Sequence, residues 1–178
     1  MLMHFREATP EDRSVLLQVH RLAFGQSEEA ELVESLLADP TAQPLLSLVA
    51  EEEGTVIGHV LFTRLSLVGP AKPPLASILA PLAVIPAAQG SGVGRGLIQW
   101  ASELLASRGL QLLFVLGDPR YYIKHGFTPA SPHGLRAPYV IEPDDAWMVK
   151  PLGNHILGSC QGQVRCADAL APEKYWRE

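Results

Sequence analysis

The chain has 178 residues, 47% of them hydrophobic and 19% charged, which is the balance of an ordinary globule large enough for one sizeable core. Its formal charge of −5 argues against a nucleic-acid-binding surface and leans towards a cationic or amine substrate. No apolar run approaches membrane-spanning length, MLMHFREATPED holds no signal-peptide core, and Cys160 and Cys166 are expected to stay reduced and lack the partners of a zinc site, so a cytoplasmic protein without metal is expected.

In chain order, residues 4–8 read as a short first strand. Thr9, Pro10 and Asp12 then supply the cap, first-turn proline and first-turn acid of a helix with Val15, Leu16, Val19, Leu22 and Ala23 on its apolar face. Ser27 is placed to cap a second helix, in which Leu32, Val33, Leu36 and Leu37 share a face before Asp39-Pro40 ends it. Residues 46–51 and 55–67 read as two strands joined through Glu52, Glu53 and Gly54. Gly58 inside the second predicts a bulge or a close backbone approach. The proline-rich loop GPAKPPLAS leads into an apolar run over residues 78–85, of strand length, which Pro86 stops.

Gln89, Gly90, Ser91, Gly92, Val93 and Gly94 follow, and a helical pattern begins at once, with Val93, Leu97, Trp100, Ala101, Leu104 and Leu105 on one face. Arg108 falls in its last turn and Gly109 suits a left-handed cap. A strand, a glycine-rich turn and a helix form a ready phosphate cradle, because first-turn N–H groups lack partners and glycines admit an anion close to the backbone. The same glycines also suit a tight turn with no ligand. A dinucleotide fingerprint would need glycine at Arg95 or Leu97, and no Lys-Ser or Lys-Thr follows the turn, so neither a dinucleotide nor a nucleoside-triphosphate loop fits.

Residues 110–116 form a second apolar run, after which Asp118 and Pro119 read as cap and first position of a short helix ending at Gly126. Prolines 129, 132, 138 and 143 break the next stretch, residues 146–152 read as a late strand, and beyond them only residues 163–166 show periodicity.

Gln-x-x-Gly-x-Gly at Gln89, Gly92 and Gly94 resembles the acyl-CoA pyrophosphate loop of the GCN5-related N-acetyltransferases. The text YYIKHGF places Tyr122 at the position of that family's tyrosine, and LGDPRYY with it is most similar to the bacterial YhbS-like branch. The resemblance is strongest over residues 79–127. It implies one α/β domain over residues 1–152, a mixed, twisted sheet flanked by helices, with parallel central strands splayed to form an acyl-CoA slot. Residues 153–178 would be an extension packed on or near that domain.

The resemblance also implies acetyl-CoA as co-substrate and a small-molecule or peptide amine as acceptor, in a monomer or homodimer, with the early helical pair over the acceptor. Leu82, Ala83, Val84, Gln89, Gly90, Ser91, Gly92, Val93, Gly94, Arg95, Asp118, Tyr121 and Tyr122 would bind the cofactor. Pro81 has no N–H, so Leu82 to Val84 are the candidate donors to the thioester oxygen. Tyr122 would protonate the leaving thiolate, although in itself it could equally be a packed tyrosine. Tyr121 should face another way. Arg95 and Lys124 flank the slot and could pair with cofactor phosphates or simply be solvated. Many relatives place a glutamate on the central strand, and residues 78–85 contain no carboxylate. That leaves as general base a water relay, Asp118 (otherwise a cap), His59 (otherwise packed) or a loop acid, while Asp144 and Asp145 read as a solvated pair. An alternative function is a non-catalytic acyl-CoA-binding or regulatory domain on the same fold.

Overall fold

A computed structural model describes residues 2–177. Among them nine strands join one mixed sheet, with four α-helices on its faces. The elements are β1 (Met3–Glu7), α1 (Arg13–Phe24), α2 (Glu28–Leu37), β2 (Leu46–Glu52), β3 (Thr55–Val68), β4 (Ala76–Val84), α3 (Val93–Ser107), β5 (Leu112–Leu116), α4 (Pro119–Tyr122), β6 (Thr128–Pro129), β7 (Leu135–Arg136), β8 (Trp147–Pro151) and β9 (Gly162–Arg165). The main order is β1-β2-β3-β4-β5-β8-β6, with β9 alongside the far end of β3 and β7 beside β9. β4 and β5 are parallel, as a helical crossover requires, and their neighbours β3 and β8 run antiparallel to them.

Helix α3 covers one face, where Leu97, Ile98 and Ala101 pack against Val60, Leu79 and Val115. On the other face lie α1, α2 and the C-terminal segment, and Leu36, Ile78, Phe114, Trp147, Leu170 and Trp176 share one core. Leu170 and Trp176 thereby carry the segment after β8 into that packing. Trp176 is buried, its indole N–H donates to the Leu170 carbonyl at 2.8 Å, and its ring meets Trp147 edge-on at 5.5 Å. The backbone N–H groups of Asp168 and Ala169 donate to Thr41 Oγ1 and Asp39 Oδ2, both at 2.9 Å, and tie this segment to the end of α2.

Several expected devices have the geometry their residues suggest. Thr9 and Asp12 form a reciprocal capping box, with Arg6 bidentate on the Asp12 carboxylate at 2.7 and 2.8 Å. They cap a 3-10 turn at Pro10–Asp12, and α1 proper starts only at Arg13. Gly109 is left-handed at φ +91°. Gly58 sits beside a bulge, and a Cβ there would lie 2.8 Å from Val93 Cγ1, so glycine lets α3 settle on β3. The late strand begins at Trp147, after a 3-10 turn at Asp144–Ala146.

The feature that positions the site is an opening in the sheet. The β4–β5 ladder runs from Ala76↔Leu112 to Leu79↔Val115 and ends there, while β4 continues to Val84 with β3 alone. At that point Ala80 and Pro81 together face the single Leu61 of β3, a bulge that bends β4 away from its parallel neighbour.

Candidate active site

Beyond the last paired residues the gap between β4 and β5 opens into a cavity of about 470 Å³. Its near wall is the sheet itself, Leu79 to Leu82 on one side and Val115 to Asp118 on the other, with Tyr122 at its edge. The far wall consists of Phe24, Glu28, Glu29 and Leu32 from the two early helices and of Leu170 and residues 174–177 from the C-terminal segment.

Antiparallel pairing decides which backbone groups face the opening. Ile85 N–H donates to the Ile57 carbonyl at 3.0 Å, and the register is unbroken from there to Leu82. Hydrogen-bonded pairs alternate, so Ala83 turns its N–H to His59 on β3 while Leu82 and Val84 turn theirs towards the opening. The Val84 carbonyl agrees, since it accepts from the Gln89 side chain at 3.0 Å instead of from β3. Of the three expected donors, Leu82 and Val84 are thus presented and Ala83 is not. The Ala83 side chain is buried against α1.

Gln89 braces the turn through that bond, and the Ser91 hydroxyl donates to the Ala88 carbonyl. Gly90 and Gly92 are left-handed, at φ +79° and +89°, and nothing lies within 4 Å of a Cβ built at either. Backbone conformation sets both glycines, and the space over them is open. Gly96 N–H to Gly92 C=O, 3.0 Å, is the first bond of α3, so the N–H groups of Val93, Gly94 and Arg95 have no partner within the helix. Val93 and Gly94 are buried and the Arg95 side chain is exposed. The turn does not line the cavity but joins it through Leu82, which lines the opening and whose Cδ2 would lie 3.6 Å from a Cβ at Gly94.

The two tyrosines diverge. A Cβ at Gly94 would strike the Tyr121 hydroxyl, so Tyr121 lies against the first turn of α3, and partial burial raises its pKa. A Cβ at Gly117 would strike the Tyr122 ring, which also meets Phe127 edge-on at 5.5 Å. Gly117 therefore seats Tyr122 on the rim, a function its place between Leu116 and Asp118 does not announce.

The base candidates separate as well. Asp118 accepts from the backbone N–H of Arg120 at 2.9 Å and pairs with its guanidinium at 3.3 Å, and these bonds lower its pKa. His59 is fully buried, 2.8 Å from both His20 Nε2 and Ser47 Oγ, and burial pushes it down to about 3. It does not line the cavity. The other carboxylates that do are Glu28 and Glu29, in the first turn of α2, where acids favour a helix start and no sequence motif marks them for a site. Lys124 is exposed, and Asp144 accepts from Ser131 at 2.9 Å, away from the opening. Among the described residues no group of three His, Cys, Asp or Glu side chains could hold a metal, and no helix is long and apolar enough to cross a membrane. Both cysteines are free, and burial pushes the Cys166 thiol up to about 11.

Sequence and structure are both similar to those of acetyltransferases. The family model described as Acetyltransferase (GNAT) domain matches residues 44–129. The uncharacterized N-acetyltransferase YjhQ of Escherichia coli K12 is 48% identical over 160 residues, 88% of each chain, and YhbS of the same strain is 32% identical over 163 residues, 91% of this chain and 95% of its own. The crystal structure of Escherichia coli YhbS in complex with CoA superposes with a TM-score of 0.86 at 30% identity, covering 96% of this chain and 92% of that one. A GNAT family acetyltransferase from Brucella melitensis in complex with acetyl-CoA gives 0.74 at 31% identity, covering 95% and 98%. At these identities and coverages, the chain belongs to the GNAT family of N-acetyltransferases, in its YhbS-like branch.

Proposed function

We propose that the protein transfers the acetyl group of acetyl-CoA to a primary amine by direct attack of the amine on the thioester. The observation that carries this reading is the opening between β4 and β5, with Tyr122 on its rim and the unpartnered first turn of α3 just beyond Leu82. Acetyl-CoA would lay its pyrophosphate against residues 89–95, where three N–H groups and the positive end of the helix dipole meet it, and extend its pantetheine arm into the opening. The complexes of YhbS with CoA and of the Brucella protein with acetyl-CoA support that choice of cofactor.

The thioester carbonyl then comes under the N–H of Leu82 or Val84, fixed donors where oxyanion charge develops. The attacking amine must first lose the proton of an alkylammonium, whose pKa is about 10.4. Asp118 is committed to Arg120 and its own cap, so that proton leaves through water towards Glu28 and Glu29. As the tetrahedral intermediate collapses, the C–S bond breaks and the sulfur takes the hydroxyl proton of Tyr122. The segment after β8 acts as part of the same domain, since Leu170 and residues 174–177 close the far side of the cavity.

The test is release of CoA thiol with acetyl-CoA and a panel of primary amines, run beside CoA titration calorimetry. Amine-dependent release supports transfer, whereas tight CoA binding with no release for any amine assigns the fold a binding duty alone.

A further inference from the structure

We infer that the acceptor is a small primary amine carried on an aromatic or aliphatic body, selected by the C-terminal segment and the start of α2. The inference rests on the transferase reading for the place of the reaction, but its grounds are the chemistry of the far wall. Phe24 and Tyr175 give that wall its accessible aromatic surface, backed by buried Leu32, Leu170 and Trp176. The Trp176 N–H is bonded to Leu170, so that residue adds apolar bulk beneath the surface.

The charged groups on the wall divide into occupied and unoccupied ones. Arg177 is held by Glu173 at 2.7 Å and Asp118 by Arg120. Lys174 sits over the Tyr175 ring, 5.0 Å from its centre. Glu29 accepts only the neutral Gln26 amide, at 3.1 and 3.2 Å, and among the described residues neither Glu28 nor Glu29 has a cationic partner within 4 Å. An ammonium is the group that completes this wall.

Polyhydroxylated amines fit it poorly. Each hydroxyl moved from water onto the Phe24 or Tyr175 ring loses hydrogen bonds that the ring does not return. A polyamine would lay its further ammonium groups beside Lys174. The volume points the same way: about 470 Å³ must also hold the acetylated arm, and whole pockets of roughly 300–1,000 Å³ take one drug-sized molecule. Tyr175 and Phe24 offer rings for stacking the amine's body, and the two glutamates attract its ammonium group.

The experiment is calorimetry on the full chain saturated with CoA, titrating phenethylamine, 2-phenylethanol, spermidine and glucosamine. Phenethylamine is expected to bind about tenfold or more tightly than the other three. Tyr175→Ala should weaken it about tenfold with CoA affinity unchanged. The double variant Glu28→Gln, Glu29→Gln, which leaves the core alone, should erase the preference for phenethylamine over 2-phenylethanol. Tighter binding of spermidine or glucosamine overturns the inference, as does a folded Tyr175→Ala or double-glutamine protein with unaltered phenethylamine affinity. Failure of CoA itself to bind would instead count against the transferase reading, and the amine titrations, repeated without CoA, still decide the acceptor class.

Discussion

Tyr122 owes its position to the residue five places before it. Its ring lies on Gly117, where any Cβ would displace it, and that dependence separates two experiments. Tyr122→Phe keeps the ring and removes the proton, so turnover should fall about 10²-fold with CoA affinity little changed. Tyr121→Phe, on the α3 side, should do far less. Gly117→Ala keeps the phenol but moves it, and should lower turnover at least tenfold through misplacement alone, roughly the sensitivity expected of catalytic geometry. Steady-state and single-turnover rates of CoA release check all three, and wild-type turnover in Tyr122→Phe with chemistry rate-limiting would hand the acid function to water. At Gly92 the cause is different. The backbone is left-handed there and the space above is empty, so Gly92→Val strains the turn and also fills the proposed phosphate position. CoA affinity should drop in a protein that stays folded, and unchanged affinity by calorimetry would remove the pyrophosphate from this turn.

At the scale of elements, α1 is clamped to the sheet by a buried imidazole pair. His20 Nε2 and His59 Nδ1 are 2.8 Å apart, and His20 Nδ1 has no partner among the described residues. The tautomer that leaves a bare lone pair at His20 Nδ1 is less costly than one burying an unsatisfied N–H, so His20 donates to His59 and His59 donates to Ser47. Burial lowers both rings, His20 to about 4 and His59 to about 3. In the unfolded chain both take a proton near pH 6.5, whereas in the folded protein they stay neutral until well below it. Their contribution is therefore intact above about pH 6.5 and is lost progressively as pH falls towards 4, at about 1.4 kcal/mol for each unit of displacement. Tm should decline from pH 7.5 to 5, and His20→Leu with His59→Phe should flatten that decline. Parallel slopes in the two proteins would show that other groups set the acid sensitivity.

Across the whole molecule, what was legible in the sequence was what is settled within a few residues. Asp118-Pro119 announces a cap, Gly109 a left-handed end, and Gly58 a bulge or a close backbone approach, because each follows from local backbone geometry. The apolar runs gave β4 and β5 and hence their parallel pairing. Contacts made at long range stayed hidden. β9 is four residues long, and its register on Ser66–Val68 is a tertiary matter that no periodicity carries. Glu28 and Glu29 went unmarked because nothing near them in the chain says that residues 174–177 line the same cavity. Trp176 shows how firmly that distant segment is held: Trp176→Ala should cost about 3–5 kcal/mol, the usual range for emptying a buried tryptophan site, and a urea midpoint left unmoved would detach the segment from the core.

The two walls of the cavity divide along the chain without overlap. Every residue of the near wall, from Ile78 to Tyr122, falls within the stretch matched by the family model, and every residue of the far wall lies outside it, at 24–32 or at 170–177. On the proposed reading, thioester handling and amine choice are written in separate passages of one gene. A lineage could exchange its amine by editing two short outer passages while the inner one keeps its wording, and a chimera carrying both outer passages of YhbS should inherit the donor's amine preference with the recipient's affinity for CoA.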